Sequence, residues 1–86
     1  MQLDQLPLRT PAAIAEIDWR LLDQAAARRL RELGFDDGVE VELLHRAAFG
    51  GDPLAIRIGR MTLAIRRAQA RAIRVAIEPP AAIAAE

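Results

Sequence analysis

The sequence predicts a small, mainly β domain in which short strands curl into a barrel or sandwich. Between Gly34 and Glu78, apolar residues stand at every second position in four short segments, which is the pattern of strands with one buried face. Turn residues separate these segments at close intervals. Strands so short and so closely linked can bury their inner faces only by curling on one another. Small barrels are usually binding modules, so the pattern favours binding over catalysis.

The first seventeen residues are less regular. Leu3–Pro11 contains two prolines and predicts an irregular entry with a single turn of helix. Ala12–Ile17 stays open at this point, because Thr10-Pro11 can cap a helix while the same residues can form a strand with Ile17 inward. Periodicity alone does not separate these two alternatives.

An amphipathic helix is expected next, ending at Leu33. Its apolar stripe recurs at intervals of four, four and three residues and consists of Leu22, Ala26, Leu30 and Leu33. Asp18 or Asp23 is the expected N-cap, because a carboxylate there accepts hydrogen bonds from the free amides of the first turn. Gly34 is expected to end the helix in a left-handed conformation, with Phe35 packing back into the core.

Four strands with the alternating pattern are predicted after this helix: Val39–Leu44, Leu54–Ile58, Met61–Ile65 and Ile73–Ile77. Their connections are a loop over residues 47–53, a tight hairpin turn at Gly59-Arg60, and about a turn and a half of helix over Arg67–Ala72. The dipeptide Pro79-Pro80 is expected to stop the last strand, because proline cannot donate to a ladder.

Length and charge limit the class of protein. The 86 residues predict one domain, with a core over about positions 10–78 and a tail over 79–86. Twelve arginines balance twelve acidic residues, so the chain lacks the basic character of a general nucleic-acid binder. A local basic ridge that can dock an acidic partner remains at Arg66, Arg67, Arg71 and Arg74. Without a signal-like start or an apolar run of ~20 residues, a cytoplasmic protein with no direct membrane insertion is expected.

The sequence offers little chemistry for catalysis. It has no cysteine or serine, and His45 is its one histidine, so no enzyme is expected and no cofactor is required. Metal binding has one candidate arrangement, in which His45 is joined by Glu42, or by Asp52 across the loop. One imidazole with a carboxylate supports a weak divalent surface site and no more, because a structural zinc site takes four protein ligands.

Three segments of the chain form a specific pattern when they are taken in order and spacing. They are RRLRELGFDDGVEV (residues 28–41), FGGDPLAIRIG (49–59) and LAIRRAQARAIRV (63–75). Together they resemble the FeoA family, the small cytoplasmic accessory proteins of bacterial ferrous iron transport. The positions that fall on the family pattern are Arg29, Leu30, Leu33, Gly34, Gly38, Asp52, Pro53, Ala64, Arg66, Ala70, Ile73 and Val75. Two departures are small: Ile65 stands where leucine is usual, and Gln69 where glutamate is usual.

This resemblance implies an SH3-like five-stranded barrel, with one amphipathic helix after the first strand and a short helix before the last. Ala12–Ile17 then becomes the first strand. The resemblance also implies a non-enzymatic accessory or regulatory protein that binds the cytoplasmic part of the transporter FeoB, which carries a GTP-binding domain, and modulates its activity. The alternative is a stand-alone SH3-like module, related to the C-terminal domain of iron-dependent repressors, that binds a regulator or itself.

The expected partner surface is the loop His45–Pro53 with the arginines near it. Its candidate residues are Arg46, Phe49, Gly50, Gly51, Asp52 and Arg60. Phe49, an apolar group beside two glycines, is either an anchor for the partner or a loop residue folded onto the barrel. Arg46 and Arg60 stand at strand ends, from which an arginine can reach outward. The most specific form of this hypothesis is that one of them enters the GTPase site of FeoB as an arginine finger.

A homodimer is also compatible with the sequence. The edges of Met61–Ile65 or Val39–Leu44 can pair with the same edge of a second copy, since an unpaired strand edge presents free backbone donors and acceptors. Charged side chains on the outer faces oppose such pairing but do not forbid it, and they belong to Arg57, Glu40 and Glu42.

Overall fold

Five antiparallel strands and two helices make up the fold of the computed structural model, which describes residues 1–48 and 50–77. The strands are β1 (Ala12–Ile17), β2 (Glu40–Arg46), β3 (Leu54–Ile58), β4 (Met61–Ile65) and β5 (Ile73–Ile77). The helices are α1 (Gln24–Glu32) and α2 (Arg67–Ala70), and single 3₁₀ turns cover Leu3–Gln5 and Trp19–Leu21. The expected stop at Pro79-Pro80 and the tail over 79–86 lie outside the described residues.

The strands predicted from alternation are confirmed, and β3, β4 and β5 have the predicted bounds. β2 begins one residue later than the predicted Val39–Leu44 and ends two residues later. Ala12–Ile17, which periodicity left open, is the strand that the resemblance implied. The sheet has the order β4-β3-β2-β1-β5. β2 therefore lies in the interior of the sheet, and the expectation that Val39–Leu44 offers a free edge is wrong. The reason is that strand order depends on long-range pairing, which alternation within one strand does not reveal.

Strand β1 connects the two halves of the sheet. It pairs with β2 through its first two residues, Ala12 and Ala13, whereas its pairing with β5 runs from Ala12 to Ile17. A register irregularity between Ile14 and Glu16 shifts the alternation, and both Ile14 and Ile17 are buried. Because β1 leaves β2 early, β5 can turn away from the plane of β2 and β3, as the curled sheet of a small barrel requires.

Helix α1 has the ends that the sequence predicts. Asp23 is its N-cap, with the carboxylate accepting from the Ala26 N–H at 2.7 Å, whereas Asp18 caps the preceding 3₁₀ turn. Gly34 has a φ of 95° at the other end. Its N–H donates to the Arg31 carbonyl at 3.1 Å, and the Phe35 N–H donates to the Leu30 carbonyl at 3.0 Å. This pair of bonds is a Schellman motif, and it delivers Phe35 into the core as expected.

Helix α2 is shorter than the predicted Arg67–Ala72, because it ends at Ala70 and passes into a turn. Its first turn is closed by Gln69, whose side-chain oxygen accepts from the Arg66 N–H at 3.1 Å. A glutamine can make this capping-box bond as well as a glutamate can. The departure from the family pattern at Gln69 therefore leaves the local structure intact.

One cluster of buried side chains forms the core, with contributions from every strand, both helices and the N-terminal segment. Its members are Leu3, Leu6, Ala12, Ile14, Ile17, Leu30, Phe35, Val41, Leu43, Leu54, Ile56, Ile58, Ile65, Ala70, Ile73 and Val75. Leu3 and Leu6 have no exposed surface. The core thus begins earlier than position 10, because a 3₁₀ turn places residues three apart on the same side.

No helix among residues 1–48 and 50–77 combines the length and the apolar composition that crossing a bilayer requires.

Replacing Gly34 with alanine is expected to lower the free energy of unfolding by about 1–2 kcal/mol, because a Cβ disfavours the left-handed conformation. Gly34→Asn is the matched control and should recover part of the loss, since asparagine adopts this conformation more readily. Urea denaturation followed by circular dichroism measures both values. Equal stability of Gly34→Ala and the unmodified protein would contradict the role of this residue in ending the helix.

Candidate partner-binding surface

Four of the residues expected to bind a partner lie at the two ends of the β3–β4 hairpin, and a fifth, Arg46, ends β2. The loop that carries Gly50, Gly51 and Asp52 precedes β3, and Arg60 lies in the tight turn between β3 and β4. A strand of five residues spans about 17 Å, so the two groups of residues lie about that far apart. The loop residues 50–53 together with the hairpin through Arg66 are hereafter the hairpin surface. Phe49 lies outside the described residues.

Hydrogen bonds to α2 hold the loop in place. The Asp52 carboxylate accepts from the backbone N–H of Arg67 at 3.0 Å, and Arg67 Nη2 donates to the Gly51 carbonyl at 3.4 Å. Gly51 has a φ of 68°, and a Cβ at this position would lie 2.5 Å from Arg67 Nη2. The left-handed backbone conformation favours glycine at position 51, whereas the Arg67 guanidinium could shift away from a Cβ; the Asp52 carboxylate has a structural role in fixing the loop.

Arg46 does not reach outward, so that expectation is wrong. Its Nη2 atom donates to the backbone carbonyls of Asp4 and Leu6, at 3.2 and 3.1 Å. Carbonyls at the end of a helical turn have no donor within the turn. The long side chain of Arg46, at the end of β2, brings its guanidinium to these two carbonyls. Arg46 therefore fastens the N-terminal segment to β2.

Arg60 is exposed in the turn between β3 and β4. Arg57 Nη1 donates to the Gly59 carbonyl at 2.9 Å and so steadies this turn. The five ion pairs among the described residues do not include Arg60. Of the two arginines expected to act at strand ends, Arg60 is the one that is available to a partner.

The outer face beside this turn carries a compact charged group. Arg57 Nη2 lies 2.7 Å from a carboxylate oxygen of Glu42 and 3.2 Å from one of Glu40. Hydrogen bonds to Glu42 first and Glu40 second raise the pKa of Arg57 above its ordinary value. The two carboxylates are therefore engaged by the same guanidinium across the β2–β3 pair.

The three candidate metal ligands have separate environments. Glu42 is bound to Arg57, and Asp52 accepts from Arg67. His45 is exposed opposite Ala55, just after a register irregularity in β2. Among the residues that the structure describes, no group of three or more histidine or acidic side chains could hold a metal ion.

Comparisons with known proteins find the FeoA domain as the matching family, over residues 1–77. The chain is similar to FeoA from Stenotrophomonas maltophilia complexed with zinc, at 38% identity and a TM-score of 0.75, with 88% of this chain and 89% of that chain covered. That protein is described as a unique prokaryotic SH3 domain protein and a candidate ferrous iron transport activating factor. The chain is also similar to FeoA from Chlorobium tepidum, at 31% identity and a TM-score of 0.78, with 90% and 70% covered.

A more distant likeness concerns the fold alone. A manganese-dependent transcriptional repressor aligns at 20% identity with a TM-score of 0.75, and the match covers 92% of this chain and 41% of the repressor. No curated protein matches the chain. With the sheet described above, these neighbours confirm an SH3-like, mainly β fold with helices.

Arg46→Ala is expected to lower the free energy of unfolding by roughly 1.5–3 kcal/mol, because hydrogen bonds to a charged group contribute about this much. The Leu6 amide should also exchange faster with solvent, since the segment that it belongs to loses its tie to β2. Arg46→Lys keeps the charge and should lose less. Urea denaturation and hydrogen exchange measure the two effects. Unchanged stability and unchanged exchange in Arg46→Ala would rule out the fastening role.

Proposed function

The chain belongs to the FeoA domain family, and we propose that it is a non-enzymatic accessory protein of bacterial ferrous iron uptake that binds the cytoplasmic part of the FeoB transporter and modulates its activity. The observation that carries this proposal is the family match, which extends over residues 1–77. The similar Stenotrophomonas maltophilia protein, described as a candidate activating factor of ferrous iron transport, supports the same role here.

The residues of the chain favour binding over chemistry. The sequence has no serine or cysteine to act as a nucleophile, and its one histidine, His45, is exposed at the end of β2. General acid–base or nucleophilic catalysis needs a reactive group held by oriented partners. A regulatory protein needs a shaped surface with available side chains, and the hairpin surface offers both.

The proposed contact with FeoB is the hairpin surface. Arg60 and Gly50 are exposed there, and the ties from Asp52 and Gly51 to α2 keep the loop in a defined shape. A preorganised loop loses less conformational entropy on binding than a free one does. Arg46 is left out of this contact because its guanidinium is engaged by the N-terminal segment.

Arg60→Ala is expected to weaken binding to the soluble cytoplasmic domain of FeoB from the same genome by about tenfold, the effect of losing an arginine from the centre of an interface. Titration calorimetry with the purified proteins measures it. Arg9→Ala is the matched control, because Arg9 follows the N-terminal segment and its N–H contacts β2, away from the β3–β4 turn. It should leave the affinity unchanged.

Two outcomes would contradict the proposal at different levels. If Arg60→Ala and Arg9→Ala bind the FeoB domain with equal affinity, the contact does not lie on the hairpin surface. No binding at all, with and without a GTP analogue and ferrous iron, would remove the cytoplasmic domain as the partner. The rate of GTP hydrolysis, measured in the same mixtures, tests whether Arg60 acts on the GTPase site.

A further inference from the structure

Among residues 1–48 and 50–77, no strand pairs with the outer edge of β4, so this edge presents backbone groups without a neighbouring strand. In the register with β3, Met61 pairs with Ile58 and Leu63 pairs with Ile56 across a two-residue turn. In such a hairpin the paired residues next to the turn exchange hydrogen bonds, and every second residue thereafter does the same. The N–H and C=O groups of Thr62 and Ala64 therefore point away from β3, along the free edge.

This edge lacks the protection that strand edges usually carry. The strand β4 reads MTLAI, without a charged residue or a proline. Thr62 and Ala64 are exposed, and 43% of Met61 is exposed. The carbonyl of Ala64 accepts from Arg29 Nη2 at 3.4 Å, a long contact on the surface that a strand can replace.

The opposite edge of the sheet is covered instead. At β5, the Val75 N–H donates to the Met1 carbonyl at 2.7 Å, and the terminal amine of Met1 donates back to the Val75 carbonyl at 3.2 Å. Gln2 forms a further bridge with Arg74. In the part of the chain that the structure describes, Met1 and Gln2 thus pair with part of β5, and no segment pairs with the outer edge of β4 in this way.

Two arginines flank the outer edge of β4. Of the six arginines in residues 53–77, three are paired with acidic side chains and Arg67 donates to the Gly51 carbonyl, which leaves Arg60 and Arg66. Arg60 directly precedes β4 and Arg66 directly follows it, and both are exposed. Arg29 adds a third guanidinium at the edge itself. A segment that pairs with β4 therefore meets an uncharged centre with cations at both ends.

We propose that the edge of β4 binds an extended segment of a partner protein, uncharged in the middle and acidic at both ends, which adds to the sheet as a further strand. Backbone hydrogen bonds to Thr62 and Ala64 hold the segment, and its carboxylates pair with Arg60 and Arg66. The inference concerns the chemistry of the bound segment, so it does not depend on which protein carries it or on the proposed function.

In the register centred on the middle of β4, pairing with a second copy of this chain is disfavoured. In an antiparallel pair centred on Leu63, Arg60 of one copy faces Arg66 of the other, and this happens at both ends of the strand. Like charges directly across a strand pair are destabilising. The charge distribution that favours an acidic segment thus disfavours self-pairing.

The test uses the intact protein and a capped peptide, EEVTVTEE, with QQVTVTQQ as the uncharged control. Titration calorimetry should show the acidic peptide binding at least ~tenfold more tightly than the control, with the difference shrinking as salt is raised. Amide shifts in NMR spectra should be centred on Thr62 and Ala64. Equal binding of the two peptides, shifts centred elsewhere, or no binding of EEVTVTEE would overturn the proposal.

Two kinds of variant separate edge pairing from general attraction. Thr62→Pro removes an outward N–H and leaves the ladder to β3 intact, because the Thr62 amide points to solvent. The affinity for the peptide should fall at least ~tenfold. The thermal midpoint of unfolding should stay close to that of the unmodified protein. Arg60→Glu and Arg66→Glu should weaken binding, whereas Arg9→Glu should not, and these variants decide the matter if Thr62→Pro fails to fold. A dimer in sedimentation equilibrium that Thr62→Pro dissociates would overturn the proposal in favour of self-pairing.

Discussion

The packing of the N-terminal segment against the sheet is the interaction on which the rest of the structure depends. Leu3 and Leu6 are fully buried and belong to the core cluster, to which all five strands contribute. The segment is held there by Arg46, which donates to two of its carbonyls, and by the backbone bonds between Met1 and Val75. A domain of this size has one small core, so each fully buried leucine is a large part of its stability. The residues before β1 are therefore part of the domain.

The same packing decides which parts of the surface are left for binding. The N-terminus pairs with the edge of β5, and β2 lies inside the sheet. Arg46 donates its hydrogen bonds to the N-terminal segment. The β3–β4 hairpin, with its loop fixed to α2 through Asp52, remains exposed and carries arginines at both ends of β4. The zero net charge of the whole chain does not reveal these two exposed arginines.

Local patterns in the sequence were sufficient to predict most helices and strands. They were insufficient to predict how these elements pair and pack with one another. Alternation predicted β3 and β4, and Gly34 marked the end of α1, because these features depend on neighbouring residues. The direction of Arg46 and the burial of Leu3 depend on pairings between distant parts of the chain, which no local pattern encodes. The strand Ala12–Ile17 needed the family resemblance, since its periodicity was compatible with two structures. The sequence offered two candidate edges, Met61–Ile65 and Val39–Leu44, and only the strand order shows that the first is the outer one.

Combining the two proposals, we expect a segment of FeoB to pair with the outer edge of β4. Amide hydrogen exchange of the protein, free and bound to the cytoplasmic domain of FeoB, tests that claim most directly. The account predicts that the Thr62 and Ala64 amides exchange rapidly in the free protein and slowly in the complex, while the Leu63 amide, which faces β3, is protected in both. Protection that appears elsewhere, with Thr62 and Ala64 still exchanging rapidly in the complex, would contradict it.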